Sequence, residues 1–326
     1  MQDAEPAAAP PVARDDRAPW RTPVRGGHPD TALAARPGVE FLRAMLAGDA
    51  PAPPLSRLTR MQPVRLSADR AEFTMPISPW LRAEDGRVPL GVLAIPADAA
   101  MTCAIIADLP ARTAITTSEL ALRQVRPAPP GAVMVTTAAV VDLGPRVALA
   151  EVTVADDAGM LIARGGSLCV ILPLAAEQGG GEDPGTDEPG PDPWQWPSPD
   201  AGLSRLTGLR AIAVAPGEAA FALPATRWLC APPPGRVQGG AVAVLAGAAI
   251  DAAMQTAAPA RSRFVSLELK LNYLRPLASD GREATAHATL IHGGRRTAVA
   301  RAEVTDADGR AIAVASGSAI AEHIAR

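Results

Sequence analysis

The chain has 326 residues, 48% of them hydrophobic, with 31 Lys and Arg against 34 Asp and Glu and a formal net charge of −3. That length holds two domains of ordinary size, each with its own core, and the near balance of charge argues against a broad field that would draw nucleic acid or an anionic membrane. The three cysteines, Cys103, Cys169 and Cys230, form no close pair, which argues against structural disulfides or zinc and for a reducing, cytoplasmic setting.

Residues 1 to about 36 are rich in Pro, Ala, Arg and Asp and read as a disordered tail without the apolar core of a secretory signal. Gly38-Val-Glu-Phe-Leu-Arg-Ala-Met-Leu-Ala-Gly48 predicts a short amphipathic helix ended by Gly48. Pro51 to Pro54 reads as a stiff connector. Strands are expected over 61–66 and 71–75, then an apolar helix over about 90–107, then strands over 114–125, 132–141, 147–155 and 160–172. Residues 174–200 are acidic and rich in Gly and Pro, and read as a linker between domains. Trp194 and Trp196 at its end either dock on a domain surface or cover an edge.

The second half repeats this order. Strands are expected over 209–215 and 219–223. Gly239 and Gly240 then open an Ala-rich, almost uncharged run to Ala258. Ala is the best helix former, and a helix apolar on every side must be buried all round. Its short length, small side chains and Asp251 argue against a membrane span. Val265-Ser-Leu-Glu-Leu-Lys-Leu-Asn-Tyr273 alternates apolar and polar residues, as a strand with one buried face does. Further strands are expected over 264–274, 283–291, 297–305 and 310–320, with turns at Gly293-Gly294 and Asp308-Gly309.

An offset of 149 residues carries Gly91 onto Gly240, Glu119 onto Glu268, Leu120 onto Leu269, and Arg126-Pro127 onto Arg275-Pro276. Leu55-Ser-Arg-Leu-Thr59 returns as Leu203-Ser-Arg-Leu-Thr207 at an offset of 148. The chain is a tandem repeat of one domain. Antiparallel strand runs with one buried helix per copy give the α+β class.

Four stretches resemble the PaaI-type hotdog acyl-CoA thioesterases, in which a curved antiparallel sheet wraps a central helix. Phe41-Leu-Arg-Ala-Met-Leu-Ala-Gly48 looks like the leading helix of that family. Val237-Gln-Gly-Gly240 stands where it has Val-His-Gly-Gly. Asn272-Tyr-Leu-Arg-Pro276 looks like its strand motif, and Gly294-Arg-Arg-Thr-Ala-Val299 like its late hairpin. The resemblance implies two tandem hotdogs, 37–173 and 201–326, paired as a pseudo-dimer. In this family the acid lies nine residues after the His, which is Gly247 counted from Gln238, and Asp98 counted from Pro89. Each copy thus keeps half of the machinery. Paired as the family pairs, Asp98 would face Gln238, Gly239 and Gly240, while Gly247 facing Pro89 and Gly91 would be dead.

The implied activity is acyl-CoA hydrolysis, with coenzyme A only as part of the substrate and no other cofactor or metal. Gly240, helped by Gly239, would stabilise the oxyanion, and Asp98 would be base or nucleophile. Gln238 would bind the carbonyl or the water, or simply cap its helix. Thr102, one turn beyond Asp98, would hold the water or bond to its own helix backbone. Asn272 would orient a neighbour, and Arg295, Arg296, Arg126 and Arg275 would meet the CoA phosphates. Pro96 inside the helix could misplace Asp98. Asp251 reads as an exposed or interface acid. No nucleic-acid or membrane partner is expected, and edge strands would suit a homodimer of double hotdogs. The competing reading is a silent hotdog that binds acyl-CoA or a protein, since the His is absent from both copies. A hydratase would need a His near the acid, and none is so placed.

Overall fold

The computed structural model describes residues 33, 35–49, 52–173, 202–231 and 235–324. The predicted N-terminal tail lies almost wholly outside them, and the acidic 174–200 segment with Trp194 and Trp196 wholly so.

The first repeat runs α1 (Gly38–Ala47), α2 (Pro54–Thr59), β1 (Gln62–Ser67), β2 (Arg70–Pro76), α3 (Leu90–Ala107), β3 (Thr113–Gln124), β4 (Val133–Leu143), β5 (Val147–Ala155) and β6 (Leu161–Pro173). The second runs α4 (Gly202–Thr207), β7 (Arg210–Ala215), β8 (Glu218–Pro224), α5 (Gly239–Gln255), β9 (Ser262–Tyr273), β10 (Glu283–Gly293), β11 (Thr297–Thr305) and β12 (Ala311–His323). Helix α1 ends as expected, with Gly48 in the left-handed region at φ 82°. The expected Pro51–Pro54 connector is corrected: Pro54 is the first residue of α2, where its missing N–H costs nothing. The repeated Leu-Ser-Arg-Leu-Thr segments are both helices, α2 and α4.

The strands form one 12-stranded antiparallel sheet in the order β1-β2-β4-β5-β6-β3-β9-β12-β11-β10-β8-β7. Six strands come from each repeat, and β3 and β9 meet at the centre. There Leu120 pairs with Leu271, Ala121 with Lys270, and Leu122 with Leu269. Leu120 and Leu122 are the repeat equivalents of Leu269 and Leu271, so the seam is self-complementary about Ala121 and Lys270. That is the pairing an isologous two-fold dimer would make, here within one chain.

Each half-sheet wraps one helix, α3 against β2, β4 and β5, and α5 against β8, β10 and β11. The architecture is a double hotdog. Helix α3 is long and apolar enough to cross a membrane, but 83% of it is buried in the protein, so it serves as a core helix. Its small residues Ala94, Ala97, Ala100 and Ala104, all fully buried, let sheet and partner helix approach closely.

Candidate active site

The two central helices cross antiparallel, and the crossing is built on glycine. A Cβ on Gly240 would stand 2.5 Å from Ile95 Cα and 2.6 Å from the Ala94 carbonyl oxygen. A Cβ on Gly91 would stand 2.7 Å from the Ala243 carbonyl oxygen. Backbone meets backbone at both points, so neither position takes a side chain without moving a helix.

This contact brings Asp98 of α3 to the start of α5. The Gly240 N–H donates to Asp98 Oδ2 at 3.3 Å. On the other side, Thr117 Oγ1 of β3 donates to Asp98 Oδ1 at 3.0 Å. Helix α3 runs unbroken through Pro96, and the proline does not displace the carboxylate two residues on. Asp98 is 4% exposed. Burial raises its pKa from 3.8 to about 6, against the lowering effect of Thr117 and the N–H groups of Gly240 and Gly239.

Gln238 stands at the N-cap of α5. Its Nε2 donates to the Ile95 carbonyl at 3.1 Å, while its buried Oε1 has no partner among the described residues. Tyr273, at the end of β9, donates its hydroxyl to the Gly239 carbonyl at 2.8 Å. A Cβ on Gly239 would lie 3.1 Å from Asp98 Oδ2 and 3.2 Å from the Tyr273 hydroxyl. Gly239 therefore keeps open the space between carboxylate and phenol. Burial and the Asp98 charge push the Tyr273 phenol well above its ordinary pKa. Burial likewise pushes the Cys103 thiol to about 12 and Cys169 to about 11. Both thiols stay protonated at neutral pH, and Asp98 is the carboxylate of the cluster.

Asp98, Gln238, Gly239 and Gly240 thus come together across the repeat boundary. Thr102 does not join them: its hydroxyl donates to the Asp98 carbonyl at 2.7 Å and the Ala99 carbonyl at 3.1 Å, within its own helix. The hydroxyl that meets the carboxylate belongs to Thr117. Asn272 is exposed on the outer face of the sheet. The next residue, Tyr273, turns inward, so the motif contributes its tyrosine and not its asparagine.

Arg295 and Arg296 are exposed in the turn between β10 and β11. Through Thr297–Ile320 and Ile320–Val265 that turn aligns with the start of β9, roughly 25 Å along the strand from Tyr273. Arg126 donates to the Leu161 carbonyl and Arg275 to the Ala311 carbonyl, each at 2.8 Å. These two are matched clamps on the starts of β6 and β12. Of the four arginines expected near the CoA phosphates, Arg275 alone lies at the Tyr273 end.

The reciprocal position has the same geometry without the acid. A Cβ on Gly247 would lie 3.6 Å from Gly91 Cα and 3.7 Å from Gly91 N. Pro89 stands at the N-cap there, and nothing at 247 can replace the Asp98 carboxylate. Asp251, expected to be exposed or at an interface, is instead held by Ser266 Oγ at 2.6 Å.

Thr117 and Tyr273 escaped the sequence reading. Tyr273 shares its strand face with Leu269 and Leu271, and that alternation alone would have pointed it inward. Thr117 precedes a bulge at Ser118, which drops out of the β3–β6 pairing and resets the alternation.

Residues 234–313 match the family model of the Thioesterase superfamily. No match was found among curated proteins. Among solved structures, acyl-CoA thioesterase II TesB2 of Mycobacterium marinum aligns over 82% of this chain and 98% of its own, with a TM-score of 0.56 and 12% identity. The tesB protein of Mycobacterium avium subs paratuberculosis aligns over 77% and 92%, with a TM-score of 0.53 and 14% identity. A mutant of phenylacetic acid degradation protein PaaI from Thermus thermophilus is 30% identical over 36% of this chain and 96% of its own, with a TM-score of 0.33. The two long alignments show that the double-hotdog fold spans most of this chain.

Proposed function

We propose that this protein hydrolyses acyl-CoA thioesters at one composite site between its two repeats. The observation that carries the reading is the buried Asp98 carboxylate of one repeat in contact with the helix-start N–H of Gly240 in the other. The thioesterase family match over residues 234–313 supports the same chemistry.

In the resting site Asp98 Oδ2 occupies the Gly240 N–H. The incoming thioester oxygen takes that donor, where the free N–H groups and positive dipole end of α5 suit a developing oxyanion. The released carboxylate oxygen accepts a hydrogen bond from water. Asp98 removes one proton as the water oxygen bonds to the carbonyl carbon. Collapse of the tetrahedral intermediate breaks the C–S bond, and the departing thiolate takes the proton back from Asp98. Thr117 holds the second carboxylate oxygen through both steps. Gln238 Oε1, buried and without a partner among the described residues, accepts a hydrogen bond from the water in this reading. Arg275 is the candidate contact for the CoA phosphates. The reading needs no cofactor beyond the CoA carried by the substrate and suits the cytoplasm.

The test is release of free thiol from a panel of acyl-CoAs, acetyl and aryl to long-chain, by wild type and Asp98→Asn. A fall of at least about 10²-fold on a turned-over substrate is expected. Turnover untouched by the change would overturn the role of Asp98. One observation favours a silent acyl-CoA binder instead: the site is sealed, with Asp98 4% exposed and seated on the donor an oxyanion would need. Folded wild type that binds but turns over no member of the panel would select that reading.

A further inference from the structure

The start of α5 is held to the rest of the protein at three successive residues. The Val237 N–H donates to the Leu277 carbonyl and the Gln238 N–H to the Leu229 carbonyl, each at 2.9 Å. Both are backbone bonds, and both lie before the helix begins. The third comes from a side chain, the Tyr273 hydroxyl, which donates to the Gly239 carbonyl at 2.8 Å. That carbonyl and the Gly240 N–H are the two ends of one peptide group. The phenol therefore grips the back of the unit whose front donates to Asp98 Oδ2 at 3.3 Å.

The phenol is itself fixed by the sheet. Tyr273 pairs with Ala313 of β12, and the N–H groups of Leu274 and Arg275 both donate to the Ile312 carbonyl, at 2.7 and 3.2 Å. A peptide group is planar, so holding its oxygen sets the direction of its N–H. A bond to the oxygen also polarises the group, and hydrogen bonds in series strengthen one another. The oxygen has two lone pairs, so it can take the phenol beside a helical N–H. Under the 149-residue offset Gly239 falls on Leu90 and Tyr273 on Gln124. Gln124 gives its Nε2 to the Ser266 carbonyl at 3.2 Å rather than to Leu90. The tyrosine tether thus stands at the helix start that faces a carboxylate. A tether that served only to pin a central helix would be needed equally in both repeats.

We propose that Tyr273 is a positioning residue for the Asp98 site: its hydroxyl aims and polarises the Gly239–Gly240 peptide, so that the Gly240 N–H meets the oxyanion at full strength. The proposal rests on the reading that the chain cleaves acyl-CoA thioesters. Tyr273 makes and breaks no covalent bond; it acts through the peptide. Its hydroxyl stays protonated, because burial and the Asp98 charge hold it well above the ordinary phenol range. Cys103 and Cys169, the other titratable groups that sense the Asp98 charge, also stay protonated at neutral pH. Asp98 is therefore the member of this cluster whose charge changes across the working range.

The experiment compares wild type, Tyr273→Phe and protein made with 3-fluorotyrosine on the acyl-CoA panel. Tyr273→Phe keeps the ring and loses the hydroxyl alone. Its kcat should fall about 10-fold with KM within about 2-fold of wild type, since an oxyanion donor is weakened and not removed. The acid limb of kcat/KM, set by ionisation of Asp98, should move to higher pH, because a weaker Gly240 N–H bond favours the carboxylate less. Tyr273 is the one tyrosine in the chain, so 3-fluorotyrosine changes this phenol alone. Its more acidic hydroxyl is a stronger donor and should move the limb to lower pH. The Gly240 amide proton resonance, read by NMR at pH 8, should move upfield in Tyr273→Phe, with the retained ring keeping ring currents constant. Loss of rate with an unmoved limb, or full turnover in Tyr273→Phe, would overturn the positioning role and leave Asp98 standing. A wild type inert on the whole panel would overturn the hydrolase reading. The Gly240 resonance would then decide the tether, an upfield move upholding it and an unmoved resonance overturning it.

Discussion

The Gly240 N–H of the second repeat donates to Asp98 Oδ2 of the first, 142 residues away in the chain, across the crossing of the two central helices. The reciprocal contact is missing because the second repeat carries Gly247 where the first carries Asp98, so the Gly91 N–H has no matching carboxylate there. One chain therefore assembles one such contact where a symmetric pair would assemble two.

The first consequence is a pH profile. Asp98 must be ionised to accept a proton, and burial places its pKa at about 6. The rate constant kcat/KM should rise with pH, reach half its limit near pH 6, and stay flat above. Asp98→Asn should lose that limb and remain low throughout. An acid limb near the ordinary carboxylate range would mean that a solvated group does the work.

Stability should run the opposite way. The folded-state pKa of Asp98 lies above its unfolded value, so the folded state binds the proton more tightly between about pH 4 and pH 6. Stability falls as pH rises through that window and stays reduced above it. The shift from 3.8 to about 6 corresponds to about 3 kcal/mol at most. Asp98→Asn should therefore match wild type near pH 3 but resist urea better at pH 8, by up to that amount less any hydrogen bond the amide fails to remake. Asp251 carries a shift of the same direction and window, so part of the pH dependence should persist in the variant. A variant weaker than wild type at pH 8 would show the ionised carboxylate to be stabilising.

Thr117 and Thr102 separate the structural assignment from the one read along the helix. Thr117 donates to the carboxylate, while Thr102 donates to carbonyls of its own turn. Thr117→Val removes a hydrogen bond to a charged acceptor, worth about 1.5–3 kcal/mol, and so should slow turnover by roughly 10-fold or more. It should also move the acid limb to higher pH, since that bond favours the ionised form. Thr102→Val should leave the limb in place. Equal effects of the two would return the role to Thr102.

The fold was legible because each level of the sequence agreed with the next. The apolar runs over α3 and α5 could only be buried helices, and the strand beginnings and ends followed alternation. The 149-residue offset marked the tandem repeat, and the resemblance to paired hotdogs set Asp98 against Gly240; the β3–β9 seam came only with the structure. What stayed hidden depends on local breaks in period. Ser118 and Leu267 are bulged out of register, so Thr117 and Ser266 face inward against the count from Leu120 and Leu269. The six-residue helices α2 and α4 are too short for a helical period to show. Asp251 read as exposed or at an interface because nothing in its own segment reveals the Ser266 hydroxyl that holds it.

Gly240 and Gly247 make the last contrast, since both are glycines in α5 facing α3. A Cβ at 240 meets the backbone of Ala94 and Ile95 at 2.5 to 2.7 Å, and backbone cannot turn aside. Gly240→Ala must push the helices apart, at about 1–3 kcal/mol by analogy with overpacked cores, and lengthen the bond to Asp98. A Cβ at 247 comes nearest to Leu269 Cδ2 at 3.3 Å and to Gly91 at 3.6 Å. A side-chain methyl can give way, and alanine in a helix interior is favoured over glycine by about 0.5–1 kcal/mol. Gly247→Ala should therefore be neutral or stabilising in urea unfolding and keep wild-type turnover at the Asp98 site. Gly240→Ala should lose both stability and rate. If the two variants unfold alike, close helix approach is not what fixes glycine at 240, and the helix-start N–H must be held by the sheet instead.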